Sequence, residues 1–299
     1  MAPFVFDHDL TPRRLNLGCG FDLREGYLNI DFQDFHSPDL VADVRELTML
    51  PSDSFDEIIA IDVLEHLPRS DTARALSEWA RLLRAGGTLE LQMPDVTACG
   101  RFLIEHDDEP SHTQLMGQLF GTQGYTGDFH LAGFTDVTVA YALRNAGFHR
   151  TVLGTRDGWM LTSTSELAPE RHREALTIGW LAGFWSAEGS ERGVWRWCDR
   201  QAELLIVNHL DSPVSVEVSA SLSRSPGNQA VVRATSTRGP SPFYDEVIVP
   251  ESGVTPWRRI IQISPGPLRV SFSTTSELLD VPDPRQLAFR LLNPAVVIL

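Results

Sequence analysis

The chain has no lysine, few cysteines and no excess of positive charge. All 25 of its strongly basic side chains are arginines, set against 40 acidic ones, and the formal net charge is −15. Without lysine, neither a Schiff-base amine nor a lysine general base is available. The formal net charge is −14 over residues 1–177 and −1 over residues 178–299. Neither part offers a basic surface, which disfavours nucleic acid and anionic membrane surfaces as partners.

Cysteine and long apolar runs are also scarce. Cys19, Cys99 and Cys198 are far apart and form no CxxC pattern, so neither a disulfide framework nor a zinc site is predicted. No apolar run is long enough to span a membrane, and the first ten residues lack the flanks of a signal peptide. We therefore expect a cytoplasmic chain without membrane insertion. The acidic run 107–109 is typical of a solvated charge cluster, and no metal ligand is predicted.

The 299 residues are enough for two domains of ordinary size, and the pattern of apolar and polar residues changes from the first to the second. Residues 1–167 alternate short apolar runs with helical patterns, which predicts an α/β domain with a mainly parallel sheet. One helix is expected over 71–84, capped by Ser70 and ended by glycines at 86 and 87, and a second over 136–145. The predicted strands are 14–18, 27–32, 56–62 and 88–93.

A linker over 168–179, predicted as a short helix, separates this domain from a second one at 180–299. The second domain contains seven short runs rich in Val, Ile, Ser and Thr, punctuated by Pro and Gly. This pattern is typical of an antiparallel β-sandwich. Four tryptophans, Trp180, Trp185, Trp195 and Trp197, favour packing over carbohydrate binding. Arg196 and Arg200 are candidate partners of Glu188 or Glu191.

The segment from Leu15 to Gly20 leads from an apolar strand into a turn that consists only of small residues, two of them glycines. Glycine there lets a cofactor approach the backbone, because no Cβ stands in the way. A lone GxG is weak evidence, but acids end the next strands. Asp31 is placed to accept the ribose hydroxyls of an adenosine, and Asp43 to accept from its adenine. Asp62 ends the fourth strand at the crevice of the sheet.

At this point residues 14–94 resemble a class I S-adenosylmethionine-dependent methyltransferase, through LNLGCG, YLNID, ADV, FDEIIAIDVLEHLP and LLRAGGTLELQMPD. Residues 120–148 fit a subgroup found beside glycosyltransferases in polysaccharide clusters. The resemblance implies a Rossmann-like fold, S-adenosylmethionine as cofactor and S-adenosylhomocysteine as product. One departure is that six residues separate Gly20 from Tyr27, so the first crossover helix is predicted to be very short or absent. The implied cofactor contacts are Asn16, Gly18, Cys19, Gly20, Asp31, Phe32, Asp43, Val44, Asp62, Val63 and His66.

Methyl transfer to an alcohol needs a base for the departing proton, and histidine suits that task near neutral pH. His130 is the predicted base because it lies in the Gly-rich loop that covers the acceptor pocket in this fold class, and Asp128 is predicted to orient its ring. His66 is expected to bind or pack. Gln123 and Tyr125 are the predicted acceptor contacts.

Three functions follow from these residues. The first is O-methylation of a sugar or glycan intermediate. The second is methylation of a non-sugar metabolite at O or N. The third is a glycan-binding or scaffold protein with a vestigial cofactor domain. The expected partner is a small-molecule or glycan acceptor, and a homodimer is left open. Glu65 is interpreted as either a ligand or a charge at a helix N-terminus.

Overall fold

A computed structural model divides the chain into two compact units, Met1–Glu174 and Ala175–Leu299. Within the part of the chain it describes, no helix is both long and apolar enough to cross a membrane. The described residues are 5–7, 9–169, 175–190, 193–210, 212–224, 228–237 and 239–299.

The first unit alternates strands and helices, as the sequence predicts. The helix predicted over 136–145 is present as Asp136–Asn145, and its N-cap Thr135 forms a reciprocal capping box with Thr138. The strands are β1 (Arg14–Leu17), β2 (Leu28–Asp31), β3 (Leu40–Val41), β4 (Phe55–Ile61), β5 (Leu83–Pro94), β6 (Phe148–Arg156) and β7 (Met160–Leu167). The helices are α1 (Thr72–Leu82), α2 (Val96–Glu105), α3 (Glu109–Phe120) and α4 (Asp136–Asn145).

These strands form a mixed sheet in the order β3-β2-β1-β4-β5-β7-β6. The first five are mutually parallel, whereas β7 runs antiparallel to both β5 and β6. The strand order reverses between β1 and β4, which opens a crevice at their carboxyl ends. The predicted mainly parallel Rossmann-like sheet is thus confirmed.

Two local predictions about α1 are corrected, and the one about residues 18–27 is confirmed. Ser70 is not a cap: Asp71 precedes α1 and provides no side-chain cap. The glycines do not end α1 either, because Leu83 is already extended and Gly86 and Gly87 lie within β5. A Cβ on Gly87 would meet backbone oxygens of Arg84 and Asp56 at 2.9 and 3.2 Å, so packing requires glycine there. The described residues 18–27 contain no helix, as the short spacing predicts.

The second unit is entirely β-structure in the residues that the structure describes. All seven predicted strands are present, and three further strands precede them. The ten are β8 (Leu176–Trp180), β9 (Phe184–Ser190), β10 (Gly193–Cys198), β11 (Gln201–Asn208), β12 (Val214–Ser223), β13 (Ala230–Ser236), β14 (Phe243–Val249), β15 (Thr255–Ile263), β16 (Gly266–Thr274) and β17 (Phe289–Ile298).

Two antiparallel sets of strands make up this unit, β14-β13-β16-β11-β8 and β15-β12-β17-β10-β9. They contribute to one buried apolar cluster. The ring of Trp257 on β15 lies 5.4 Å from that of Phe272 on β16 and 6.5 Å from that of Phe243 on β14. Burial of such large rings supplies much of the unit's hydrophobic stabilisation.

The predicted linker helix is corrected where the structure describes it. Residues 176–179 belong to β8, whose buried Leu, Thr and Trp side chains favour an extended strand; residues 170–174 lie outside the described residues. Trp180 and Trp197 are buried, in agreement with packing. Arg285 pairs with Glu188, whereas Arg196 lies over the Trp180 ring instead. Glu191 lies outside the described residues.

Candidate active site

The glycine turn after β1 lies at the point where the strand order reverses. Gly18 and Gly20 have φ angles of 61° and 50°, in the left-handed region that favours glycine. A Cβ on Gly18 would lie 2.6 Å from Cγ2 of Val63, which follows β4, so the two strand ends pack closely. No described atom lies within 4 Å of a Cβ built on Gly20, so that glycine borders open space where a cofactor can approach.

This difference predicts distinct effects for alanine at the two glycines. Gly18→Ala should destabilise the fold by about 2–5 kcal/mol, through left-handed strain and overpacking against Val63. Gly20→Ala should cost only the strain, about 1–2 kcal/mol, and should mainly weaken binding of S-adenosylhomocysteine. Urea unfolding and calorimetric titration measure the two effects.

The matched control is the double variant Gly18→Ala/Val63→Ala, which removes the methyl groups that the new Cβ would meet. We expect it to recover part of the stability lost in Gly18→Ala. Equal losses of stability in Gly18→Ala and Gly20→Ala would contradict the packing argument.

Asp31 ends β2 and its carboxylate is buried beneath the glycine turn. Its Oδ2 accepts from the backbone N–H of Gly20 at 2.8 Å, and its Oδ1 from that of Gln33 at 2.7 Å. Nδ1 of the buried His36 lies 3.0 Å from Oδ1 but forms no hydrogen bond with it. Each carboxylate oxygen keeps a further acceptor site. Asp31 therefore fixes the turn and retains acceptor capacity for ribose hydroxyls.

Two other predicted cofactor contacts have structural partners. Asn16 is buried, and its amide nitrogen donates to the Asp22 carbonyl at 2.7 Å and to Oδ1 of Asn29 at 3.0 Å. Its side chain holds the β1–β2 turn. Asp43 lies two residues beyond β3, rather than closing that strand, and accepts two charged hydrogen bonds from Arg45. These bonds lower the pKa of Asp43.

Val44 and Asp62 also have local contacts in the crevice. The Val44 carbonyl accepts from the indole N–H of Trp79 at 2.9 Å, which anchors α1 beside the β3 end. Asp62 has a φ of 55° and an exposed side chain. Its carboxylate accepts from the Gln92 amide at 3.2 and 3.3 Å, and Gln92 in turn accepts from Arg156. Partial desolvation nevertheless raises the pKa of Asp62.

A loop over 121–132, here named the covering loop, connects α3 to the last turn before α4. It is attached to the ends of two strands. The amide of Gln33 donates to the Thr126 carbonyl at 2.6 Å. The backbone N–H groups of Leu131 and Ala132 donate to the Glu65 carbonyl at 2.6 and 3.0 Å. The covering loop thus lies beside both the Asp31 end and the Asp62 end of the crevice.

The covering loop brings His130 to His66, 64 positions earlier in the sequence, with ring centroids 4.7 Å apart. Nδ1 of His130 lies 2.9 Å from the Gln118 carbonyl, and Nδ1 of His66 lies 3.2 Å from the Phe129 carbonyl. Burial and the neighbouring His66 lower the pKa of His130, which favours its neutral, basic form.

The prediction that Asp128 orients the His130 ring is wrong. The Asp128 carboxylate accepts instead from the hydroxyl of Thr122 and from the backbone N–H of Gly124 at 3.1 Å. It is satisfied within its own loop, and the Gln118 carbonyl is the group that fixes the imidazole of His130. The path of the covering loop decides that the Gln118 carbonyl, and not Asp128, contacts the ring of His130. No sequence pattern shows that path.

The two predicted acceptor contacts are exposed on the covering loop. The ring of Tyr125 lies 5.4 Å from that of Phe35 and 6.0 Å from that of His36, near the Asp31 end. Gln123 has a φ of 57° and an exposed side chain. Phe32, a predicted cofactor contact, is 62% exposed beside the crevice.

Cys19 lies within the glycine turn but is not a nucleophile. Burial first, and the negative charge of Asp31 second, raise the pKa of its thiol to about 12. The thiolate is therefore scarcely populated near neutral pH. Cys19 is a small buried side chain in the turn.

Sequence reasoning missed the environment of Glu65. It lies in a 3₁₀ helix, Leu64–His66, and its side chain is only 2% exposed. Glu65 does lie in the first turn of this short helix, but it is buried there. Neither of its carboxylate oxygens has a hydrogen-bond partner in another described residue, and burial raises its pKa well above the usual value. Only the adjacent histidine could have signalled this from the sequence.

Residues 10–91 match the model of a protein family described as "Methyltransferase domain". This stretch contains the glycine turn, Asp31, Asp43 and the β4 end, and it stops before the covering loop. These residues are thus similar to methyltransferase domains, which are enzyme domains that use S-adenosylmethionine as cofactor. The comparison with curated proteins gave no match.

Solved structures resemble about half of this chain. A protein of Bordetella parapertussis, described as a possible exported protein, is 14% identical over 53% of this chain, with a TM-score of 0.40. The match spans 62% of that protein, less than two thirds of its length. A SAM-dependent methyltransferase of Archaeoglobus fulgidus is 12% identical (52% of this chain, 86% of that one, TM-score 0.38). One of Methanosarcina mazei is 17% identical (52% and 92%, TM-score 0.38).

Proposed function

We propose that the chain is an S-adenosylmethionine-dependent O-methyltransferase that acts on a sugar or glycan intermediate. The observation that carries the proposal is the joint position of the glycine turn, Asp31 and the His66–His130 pair around one crevice. S-adenosylmethionine, when bound, would supply the methyl group, with its sulfur as the leaving group. The protein holds the cofactor and the acceptor in line.

Within this proposal, Asp31 holds the ribose and the backbone at Gly20 lies against the cofactor. Imidazole is suited to receive the proton of an alcohol, because its pKa lies near neutrality. The carbonyls of Gln118 and Phe129 can only accept, so the facing Nδ1 atoms of His130 and His66 donate. In the neutral rings, Nε2 is then the basic nitrogen.

Exposed aromatic rings support a sugar or glycan acceptor. Phe21, Phe35 and Tyr125 are 78, 55 and 42% exposed, and their rings form a chain with neighbouring centroids 6.3 and 5.4 Å apart. Exposed apolar patches of this kind commonly mark ligand sites. Such rings can cover the C–H face of a sugar while its hydroxyl groups remain free to form hydrogen bonds.

We further propose that the second unit is a β-sandwich. The proposal is supported by the core that its two antiparallel sets of strands share.

The test is an acceptor screen with the full chain and S-adenosylmethionine carrying a labelled methyl group. We expect label on a hydroxyl of a nucleotide sugar or short glycan, with an equal amount of S-adenosylhomocysteine. Mass spectrometry locates the methylated atom. Label on an amine of a non-sugar metabolite would reject the proposed acceptor. Glycan binding without any S-adenosylhomocysteine binding would reject methyl transfer and favour a scaffold protein.

A further inference from the structure

Three potential metal ligands meet beneath the covering loop. One ring nitrogen each of His66 and His130 and one carboxylate oxygen of Glu65 all lie within 4.8 Å of one another. We name these side chains the His–Glu cluster. It joins the 3₁₀ helix after β4 to the covering loop, two segments that are also held together by backbone hydrogen bonds from residues 131 and 132 to Glu65.

The hydrogen bonds of the two rings leave the same nitrogen available in each. Nδ1 of His66 donates to the Phe129 carbonyl, and Nδ1 of His130 donates to the Gln118 carbonyl. Both neutral rings therefore carry their lone pair on Nε2. Histidines that bind metal ions almost always have this arrangement, because a hydrogen bond from the other nitrogen fixes the tautomer and the ring orientation.

The buried carboxyl of Glu65 lacks a counterpart. It is 2% exposed, and neither oxygen accepts a hydrogen bond from another described residue. A buried polar group without a partner destabilises the fold, and a charged one does so more strongly. The acids Asp62 and Asp128 lie near the two histidines, so a cation is the counterpart that this environment favours.

We propose that Glu65, His66 and His130 bind a divalent first-row transition-metal ion, such as Zn²⁺ or Mn²⁺. Two imidazoles and one carboxylate are a recurrent set for such ions, whereas Mg²⁺ and Ca²⁺ prefer oxygen ligands throughout. Ligand atoms about 2.1 Å from a tetrahedral zinc ion lie about 3.4 Å apart. The three atoms, which lie within 4.8 Å of one another, therefore have to converge by up to about 1.4 Å, which is within the reach of side-chain rotation.

The consequence for catalysis rests on the proposed function. An ion at the His–Glu cluster can bind the acceptor hydroxyl and lower its pKa, as metal ions do for bound water. The oxygen then loses its proton to solvent and forms a bond to the methyl carbon. The C–S bond of the cofactor breaks with its electron pair on sulfur. His130 then acts as a ligand of the ion instead of as the base.

The test measures metal binding directly on the full chain, without a histidine tag and after removal of metal with a chelator. Calorimetry with Zn²⁺, Mn²⁺ and Mg²⁺ should show one transition-metal ion per chain and much weaker Mg²⁺ binding. Glu65→Gln should weaken Zn²⁺ binding at least 100-fold. It should still fold, because glutamine matches the volume of the buried acid. His149→Gln is the matched control, since His149 lies on β6 beside Glu166, outside the cluster.

Two results would overturn the metal site: no saturable Zn²⁺ or Mn²⁺ binding by the folded chain, or equal binding by Glu65→Gln. Circular dichroism and S-adenosylhomocysteine titration show whether each variant is folded. Metal binding that is lost in Glu65→Gln supports the site even if no acceptor is ever methylated, so the proposed function is tested separately. Methyl transfer at the full rate after metal removal would reject the catalytic consequence.

Discussion

Asp31→Ala should weaken the binding of S-adenosylhomocysteine at least 100-fold. The carboxylate lies beneath the glycine turn, and each oxygen keeps capacity for a further hydrogen bond. Hydrogen bonds to a charged group contribute about 1.5–3 kcal/mol each. Two bonds to ribose hydroxyls therefore correspond to about 3–6 kcal/mol, or more than a hundredfold in affinity. Calorimetric titration of the variant and the wild type measures the change.

Because Asp31 also accepts from two backbone N–H groups, its loss will lower stability as well as affinity. The matched control is Asp34→Ala, an exposed acid three residues later, which should bind like the wild type. A second comparison isolates the ribose contact. Wild type should prefer adenosine over 2′,3′-dideoxyadenosine, and Asp31→Ala should lose that preference. An unchanged preference in the variant would show that Asp31 only supports the turn.

His130→Ala should lower kcat for methyl transfer by about 10²–10⁴-fold, the usual contribution of a positioned acid or base. S-adenosylhomocysteine should bind the variant within about threefold of wild type, because the proposed function assigns His130 to the acceptor and not to the cofactor. The effect is expected whether the ring takes the proton or holds an ion, since both need its neutral form. Single-turnover kinetics with saturating cofactor separates this loss from binding.

The pH dependence follows from the same ring. Burial and the charge of His66 lower the pKa of His130 below its usual 6.5, so the ring is mostly neutral at pH 7. Activity should therefore persist below pH 6.5 and fall only as the pH drops through the lowered pKa, when the ring becomes protonated. His149→Ala should leave the pH profile of activity unchanged.

The His130→Ala variant also separates two classes of acceptor. Nearly full activity in that variant would favour a nitrogen acceptor, which needs less help from a base.

Local patterns in the sequence were sufficient for β1, β2, β4, β5 and seven of the ten strands of the second unit. Alternating and apolar runs mark these strands, because side-chain period and β-branching act over a few residues. The small residues at 18–20 and the acid at 31 follow from where strands end. The prediction that the glycines at 86 and 87 end a helix was wrong. Glycine is favoured both at helix ends and in tightly packed strands, and only the neighbouring backbone decides which of the two forms.

Tertiary structure alone decided how the catalytic half is assembled. The covering loop places His130 against His66. It also brings the Gln118 carbonyl, and not Asp128, to the ring of His130. Glu65 is buried, and its carboxylate has no hydrogen-bond partner in another described residue. Each of these depends on hydrogen bonds between segments more than 60 residues apart or on the local path of the loop. Sequence spacing determines which residues follow a strand, but burial and partner choice arise only when the chain closes over them.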